Sequence, residues 1–190
     1  TTNTLTLKNA SINGAAGSVN TISVPDSTSE FKIAFTGTNT ITARNSSDYC
    51  RAVNALDADL VLSGGEEATL TIRANMSGES SENGGLRVGS LTITGGTVTV
   101  ECPAENYGPD HNPYCISLNK NAADVLKVTG GKLISKGWEP LFFGPSAFTA
   151  ERVDSNTYLS GTTNIDGTGL EPYDLSLIHI SEPTRRYAIS

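Results

Sequence analysis

The densest set of side chains that could bind a ligand lies in one segment, between Cys102 and Cys115. This segment holds two tyrosines, two carboxylates and a histidine: Glu105, Tyr107, Asp110, His111 and Tyr114. Tyrosine rings can stack on sugar rings, and carboxylate oxygens are ligands that Ca²⁺ prefers. Glu105 and Asp110 are therefore candidate metal ligands, while Glu105, the two tyrosines and the histidine are candidate binding residues. The alternative is an acidic loop that is merely solvated.

The three cysteines allow two interpretations. A disulfide between Cys102 and Cys115 would close a short loop, contribute about 3 kcal/mol in a chain-entropy model, and indicate an oxidising exterior. Alternatively, Cys50 and Cys115 are buried thiols, because each follows a tyrosine at an equivalent place in the repeat described below. Both interpretations stay open at this point. A bond between Cys50 and Cys115 is not expected, since two steps of about 4.8 Å exceed the reach of a disulfide.

The spacing of the remaining polar residues does not favour catalysis. A polysaccharide lyase needs a base beside its substrate, and the basic residues within the repeats do not cluster: Arg51, Arg87 and Lys127. A glycoside hydrolase needs two carboxylates that converge across a groove, and Asp57 with Asp59 has no aromatic or basic support. No Gly-x-Ser-x-Gly turn provides the nucleophile of a Ser-His-Asp site. We therefore expect no enzymatic activity.

Composition and charge restrict the class of protein further. The 190 residues carry 13 basic and 20 acidic side chains, a formal net charge of -7. Nucleic acid and an anionic membrane surface would both repel such a chain. No apolar run is long enough to span a membrane, and no basic and apolar signal segment opens the sequence. Because the chain starts at Thr1, we expect that processing or truncation removed the original start.

One pattern recurs five times along the chain: two apolar residues separated by one, a small or glycine-rich step, then two more apolar residues. In the clearest copy, Leu91-Thr-Ile-Thr-Gly-Gly-Thr-Val-Thr-Val100, apolar side chains alternate with threonine, which is the period of a strand. The copies are anchored on Leu5, Ile33, Leu60, Leu91 and Leu126, at spacings of 27 to 35 residues. Several copies have a third apolar stretch: 22–24, 52–53, 86–88 and 116–118. The sequence therefore predicts an all-β, right-handed parallel β-helix of about five triangular coils.

The alternation also predicts which side chains point inward. Ten residues are expected to form stacked interior ladders: Ile33, Phe35, Leu60, Leu62, Leu91, Ile93, Val98, Val100, Leu126 and Val128. The glycines that recur at one corner are expected to provide positive φ angles or room for the next coil, and Asn39 is assigned to that corner for a related reason.

The ends of the chain are expected to differ from its middle. The β-helix is assigned to residues 1–149, with coils lost before Leu5 and an aromatic partial coil or cap between Trp138 and Phe143. Residues 150–174 form an irregular tail with one plausible strand at 157–159. Residues 175–190 are predicted to be non-native, because Leu175 to Arg185 resembles an in-frame translation of a sequencing-library adapter.

The coil phrases resemble those of a known protein family. The Leu91 to Val100 phrase, Gly37-Thr-Asn-Thr-Ile-Thr42 and the opening Leu-Lys-Asn-Ala-Ser-Ile are similar to the carbohydrate-binding parallel β-helix proteins of cellulolytic and gut Firmicutes. The resemblance spans Leu5 to Ser135 and transfers no ligand motif residue by residue. It implies a polysaccharide-lyase-like fold that binds cellulose or pectic acid and can hold calcium.

From this resemblance we expect an extracellular or cell-surface bacterial module that binds polysaccharide without catalysis, as a monomer within a larger surface protein. Calcium is the one cofactor that the resemblance implies. The alternative is a structural or adhesive stalk of a surface protein, and the third possibility is a pectate-lyase-like enzyme.

Overall fold

The computed structural model describes residues 3–15, 17, 19–45, 50–76, 84–102, 114–120, 125–137, 141–143, 157–163 and 169–174. These residues form strands and connecting turns. The strands are β1 (Asn3–Lys8), β2 (Ser11–Asn13), β3 (Asn20–Ser23), β4 (Glu30–Thr36), β5 (Thr38–Asn45), β6 (Arg51–Gly64), β7 (Thr69–Met76), β8 (Gly84–Cys102), β9 (Ile116–Leu118), β10 (Leu126–Gly137), β11 (Phe142–Phe143), β12 (Thr157–Thr163) and β13 (Gly169–Asp174). No helix long and apolar enough to cross a membrane occurs in the described ranges.

The strands stack into three faces of a parallel β-solenoid. The first face contains β1, β4, residues 59–64 of β6, residues 90–95 of β8 and the start of β10. The second face contains β2, β5, β7, residues 97–102 of β8 and the end of β10. The third face contains β3, the start of β6, the start of β8, β9 and β11. Each of these pairings is parallel, so the predicted solenoid architecture is confirmed.

The interior is a set of aliphatic ladders. All ten residues predicted to point inward are buried, with at most 2% of their surface exposed. On the third face, Ile22, Val53, Leu86 and Ile116 stack in register, as the third apolar stretch predicted. Burying one such side chain stabilises the fold by about 1.5–3 kcal/mol. Strand alternation sends the neighbouring threonines outward, because successive side chains point to opposite faces.

The number of turns and one register differ from the prediction. The stack amounts to about three turns instead of the predicted five. In that face Ile33 lies beside Leu62, whereas the anchors had aligned it with Leu60. A shift by two residues keeps the same side of the strand inward, so the periodicity alone did not reveal it.

The corner between the first and second faces explains part of the glycine pattern. Gly37, Gly96 and Gly131 have φ angles of 68°, 77° and 79°, which confirms the predicted need for left-handed backbone. Asn9 takes the same conformation with φ of 48°, and its Oδ1 accepts a hydrogen bond from Thr38 N at 3.0 Å. Asn9 was not among the residues predicted to shape this corner.

Asn39 stands at this corner, as predicted, but its backbone does not have a positive φ. Its side chain is instead fully buried. Oδ1 accepts from Ala10 N at 2.9 Å, and Nδ2 donates to the carbonyl oxygens of Thr36 and Thr69 at 3.0 and 3.3 Å. Asn39 therefore connects three successive coils from the inside.

Toward the C-terminus the stack extends beyond β9 and β10. Phe142–Phe143 pairs in parallel with β9, and Leu141 is buried, so the described part of the predicted aromatic coil or cap belongs to the third face. The strand predicted at 157–159 is present as β12, which pairs in parallel with β10 and is followed by the antiparallel β13. Residues 175–190, predicted to be non-native, lie outside the described residues.

Candidate functional site

Most of the predicted binding segment lies outside the described residues: Glu105, Tyr107, Asp110 and His111. Its base is described. The second face ends at Cys102, and the next described residue is Tyr114, which is half-buried and precedes β9. The Tyr114 carbonyl oxygen lies 2.2 Å from the position that a Cβ on Gly84 would occupy. The segment therefore leaves from the corner between the second and third faces and returns to it.

The two cysteines at this corner meet inside the protein. Cys102 and Cys115 are fully buried thiols, and so is Cys50. The hydrogen bond between the Cys102 and Cys115 thiols, together with complete burial, raises the pKa of Cys102 well above its ordinary value. Cys115 Sγ also donates to the Lys136 carbonyl oxygen at 3.0 Å. The burial of these thiols agrees with the interpretation of the cysteines as buried thiols. The disulfide interpretation requires that Cys102 and Cys115 be in contact, and their hydrogen bond provides that contact.

The second face carries two contiguous rows of threonine on its outer side. Thr40, Thr71 and Thr99 are in register, and so are Thr38, Thr69 and Thr97. Neighbouring hydroxyls are separated by about 4.8 Å between coils and about 6.7 Å along a strand. Each hydroxyl can donate one hydrogen bond and accept others. The rows therefore present a regular array of polar groups over three successive strands.

A charged row flanks the threonines on the side toward Cys102. Arg73, Glu101 and Lys136 are in register on β7, β8 and β10. Arg73 Nε donates to Glu101 Oε2 at 3.0 Å, and Lys136 Nζ lies 3.9 Å from Glu101 Oε1. The Arg73 and Lys136 side chains are 46% and 55% exposed, so two cations border the face with one carboxylate between them.

This charged row was not among the sequence predictions, although the sequence contains a signal for it. Each member lies three residues after an equivalent interior residue, because Arg73 follows Leu70, Glu101 follows Val98 and Lys136 follows Leu133. Aligning the outward positions of each copy, in addition to the inward ones, would have placed the three charges side by side.

The first face holds a different polar group, around Asp59. Asp59 Oδ1 accepts from Ser90 Oγ at 2.5 Å and from Lys120 Nζ at 2.6 Å. Partial burial by itself raises the pKa of Asp59, but these two hydrogen bonds and the charges of Lys120 and Lys127 hold it below its ordinary value of 3.8. An ionised carboxylate with these partners stabilises the contact between coils and is not a proton donor near neutral pH.

The other residues weighed for catalysis do not all lie in one place. Lys127 is near Asp59 on the first face, but Arg51 and Arg87 lie on the third face. Asp57 is exposed. In the part of the chain that the structure describes, no group of three or more His, Cys, Asp or Glu side chains could hold a metal ion. The two carboxylates predicted to bind calcium, Glu105 and Asp110, are not in that part.

Comparisons with known proteins add no relative. No family model matches the chain, and searches of curated proteins and of solved structures found no match either. The resemblance to carbohydrate-binding β-helix proteins therefore depends on the coil phrases themselves, and the fold assignment depends on the strand register.

Proposed function

We propose that the chain is a non-catalytic polysaccharide-binding module, in which the second face and the adjoining segment 103–113 form the binding surface. One observation supports this most directly. Two rows of threonine hydroxyls lie beside the Arg73–Glu101–Lys136 row on the second face. Cys102, which follows Glu101, leads from this face into the candidate segment.

The threonine rows suit a polymer better than a small molecule. A regular strand face can contact an extended chain of sugars at many points, because the hydroxyls of such a chain repeat along its length. A single hydrogen bond of this kind contributes about 1 kcal/mol. Once one contact has formed, further contacts along the same polymer form at a high effective concentration. We therefore expect dissociation constants roughly in the micromolar to millimolar range.

The charged row favours polymers that carry carboxylates. Arg73 and Lys136 can each donate to a uronate carboxylate, and Arg73 offers a planar, forked set of donors. Because the chain has a net charge of -7, a cationic patch or a bridging ion is needed to attract an anionic polymer. A bridging calcium ion would attract the polymer in the second way. Bound by Glu105 and Asp110, it would also be coordinated by uronate oxygens.

Such a polymer would be met outside the cell. We therefore assign the module to an extracellular or cell-surface bacterial protein, in which it acts as one monomeric part of a longer chain. This assignment is supported by the resemblance of the coil phrases and by the choice of ligand.

The experiment compares matched variants on two faces. Thr71→Val with Thr99→Val removes two hydroxyls from the second face and keeps side-chain shape and strand propensity. Thr4→Val with Thr92→Val does the same on the first face, where both residues also point outward. We expect the first pair to weaken retention on pectate or cellulose about tenfold and the second pair to leave it unchanged.

The same assay tests the segment and the alternatives. Tyr107→Ala with Asp110→Ala, measured with calcium and with chelator, reports whether residues 103–113 contribute. Identical retention for all variants would contradict the proposed surface. A wild type that binds neither pectate, cellulose nor host glycans would contradict the function and favour a structural stalk. Unsaturated sugars formed from polygalacturonate would indicate a lyase instead.

A further inference from the structure

The corner between the second and third faces brings two cysteines into one small space. Gly137 pairs directly with Cys102 in the neighbouring strand. A Cβ on Gly137 would lie 2.3 Å from Cys115 Sγ and 3.2 Å from Cys102 Cβ. Both cysteine side chains are 0% exposed and lie against this glycine, with a hydrogen bond between their thiols.

We propose that Cys102 and Cys115 form a disulfide that closes the segment between them at its base, while Cys50 stays a thiol. The geometry assigns the pairing. Cys102 and Cys115 bracket twelve residues at one corner and their thiols are hydrogen-bonded, whereas Cys50 lies two coils from Cys115. The intervening strand is β8, because Gly84 N donates to the Cys50 carbonyl oxygen and Leu86 N donates to the Cys115 carbonyl oxygen. Two coil steps, about 9.6 Å, exceed disulfide reach.

Forming the bond requires an oxidant, and a small-molecule disulfide such as glutathione disulfide provides it. One cysteine thiolate attacks that disulfide and releases the first glutathione thiol. The second cysteine thiolate then attacks the mixed disulfide and releases the other. In total the two cysteine thiols lose two protons and two electrons, and one glutathione disulfide becomes two glutathione thiols. Oxidising exteriors maintain such conditions.

The folded corner determines when the bond forms. Neither sulfur is accessible to a reagent in the folded state, and the Cys115 thiol is engaged by the Lys136 carbonyl oxygen. Buried thiols also react slowly because little thiolate is present. The disulfide therefore forms while the coil is open, during folding, and the reduced protein resists oxidation once folded.

This inference is independent of the proposed function, since the bond can be present whether or not a polysaccharide binds. Its consequence for binding is indirect. The bond would tie both ends of segment 103–114 to the corner next to the Arg73–Glu101–Lys136 row, and so restrict where the segment can lie.

The experiment counts thiols in the full chain. The protein is refolded either in a buffer of reduced and oxidised glutathione or with a reductant, and the thiols are titrated with Ellman's reagent in denaturant. We expect one thiol per chain after oxidative refolding and three after reductive refolding, since the chain has three cysteines. Cys50→Ser should then show none, whereas Cys102→Ala and Cys115→Ala should each show two.

Thermal unfolding provides the second measurement. Oxidised wild type should melt roughly 6 °C higher than reduced wild type, and so should Cys50→Ser, because the cross-link restricts the unfolded chain. Addition of glutathione disulfide to protein already folded in its reduced form should leave three thiols for much longer than refolding takes. Three thiols after oxidative refolding, or a peptide map that joins Cys50 to either partner, would overturn the proposal.

Discussion

The first and second faces of the solenoid are alike on the inside and different on the outside. Behind the first face, Ile33, Leu62 and Ile93 stack in register, and behind the second face Ile41, Ile72 and Val100 do the same. All six side chains are fully buried. Outward, the first face mixes charged, aliphatic and hydroxyl side chains in one row: Thr4, Lys32, Val61, Thr92 and Lys127. The second face repeats threonine over three strands.

This difference shows at which positions packing determines the type of side chain and at which positions it does not. Each inward position must fill the interior, so both faces converge on aliphatic residues. Outward positions have no such constraint, and strand propensity favours threonine equally on both faces. The contiguous threonine rows of the second face are therefore not explained by the fold, and ligand binding is the explanation that we propose for them.

The largest expected effect concerns the interior that the two faces share. Ile93→Asp on the first face and Val100→Asp on the second each bury an unpaired carboxylate among aliphatic side chains, at a cost of several kcal/mol, about 3 or more. Both variants should lose the cooperative unfolding transition and the β-sheet circular dichroism spectrum. Ile93→Val, a matched control, should cost only about 1 kcal/mol. A native spectrum for either aspartate variant would mean that the corresponding face is not closed against the core.

The next effect tests the link between the two faces at Asn39. Asn39→Leu leaves the Ala10 N–H and the carbonyl oxygens of Thr36 and Thr69 without the amide that joins them. Each buried group that loses its partner costs about 1–3 kcal/mol. We expect a loss of about 3 kcal/mol in urea unfolding. Substitution of Asn9, which bonds Thr38 N in a more exposed position, should cost less. Equal losses for the Asn39 and Asn9 variants would indicate that stability depends on the corner turn and not on the buried amide.

A smaller effect is expected in ligand binding, where the two faces should differ. Arg73→Gln removes one of the two cations beside the threonine rows, and Lys32→Gln removes a cation from the first face. On pectate we expect Arg73→Gln to weaken binding about fivefold, roughly 1 kcal/mol, and Lys32→Gln to have no effect. The difference should shrink in high salt, because these charges are exposed. Equal effects of the two variants would indicate attraction by net charge alone.

The Asp59 group should make a small, pH-dependent contribution on the first face. The folded-state pKa of Asp59 lies below its value in the unfolded chain, so its stabilisation is present above the unfolded pKa and is lost as pH falls through the folded pKa. Because Asp59 and Lys120 are 46% and 38% exposed, the contribution should be less than about 1 kcal/mol. Wild type and Asp59→Asn should therefore differ at neutral pH and converge once the pH has fallen below the folded-state pKa of Asp59, which lies below its ordinary value of 3.8. A difference that persists in acid would assign the effect to packing.

No effect is expected from the last sixteen residues. A chain that ends at Asp174 should melt at the same temperature and bind the same polymers as the full chain, because the segment from Leu175 resembles translated adapter sequence. A fall of several degrees would show that the segment packs on the solenoid.

The amino-acid sequence by itself determined the strand periodicity, the ten inward residues and the three faces. These follow from alternation of apolar and polar side chains, a local property that every coil repeats. It also indicated the corner glycines, since a positive φ is a demand of the local backbone. The register of Ile33 against Leu62 depended on tertiary structure, because a shift by two residues leaves the alternation unchanged.

Only the tertiary structure decided the arrangement of groups that are far apart in sequence. Asn39 could be recognised as a buried link only when the coils on both sides of it were in place. The Asp59 group joins Asp59, Ser90 and Lys120, whose sequence separations are set by loops of unequal length. The same holds for Cys102 and Cys115, since their sequence spacing permits a contact and only the corner, where Gly137 leaves room, brings the two side chains together.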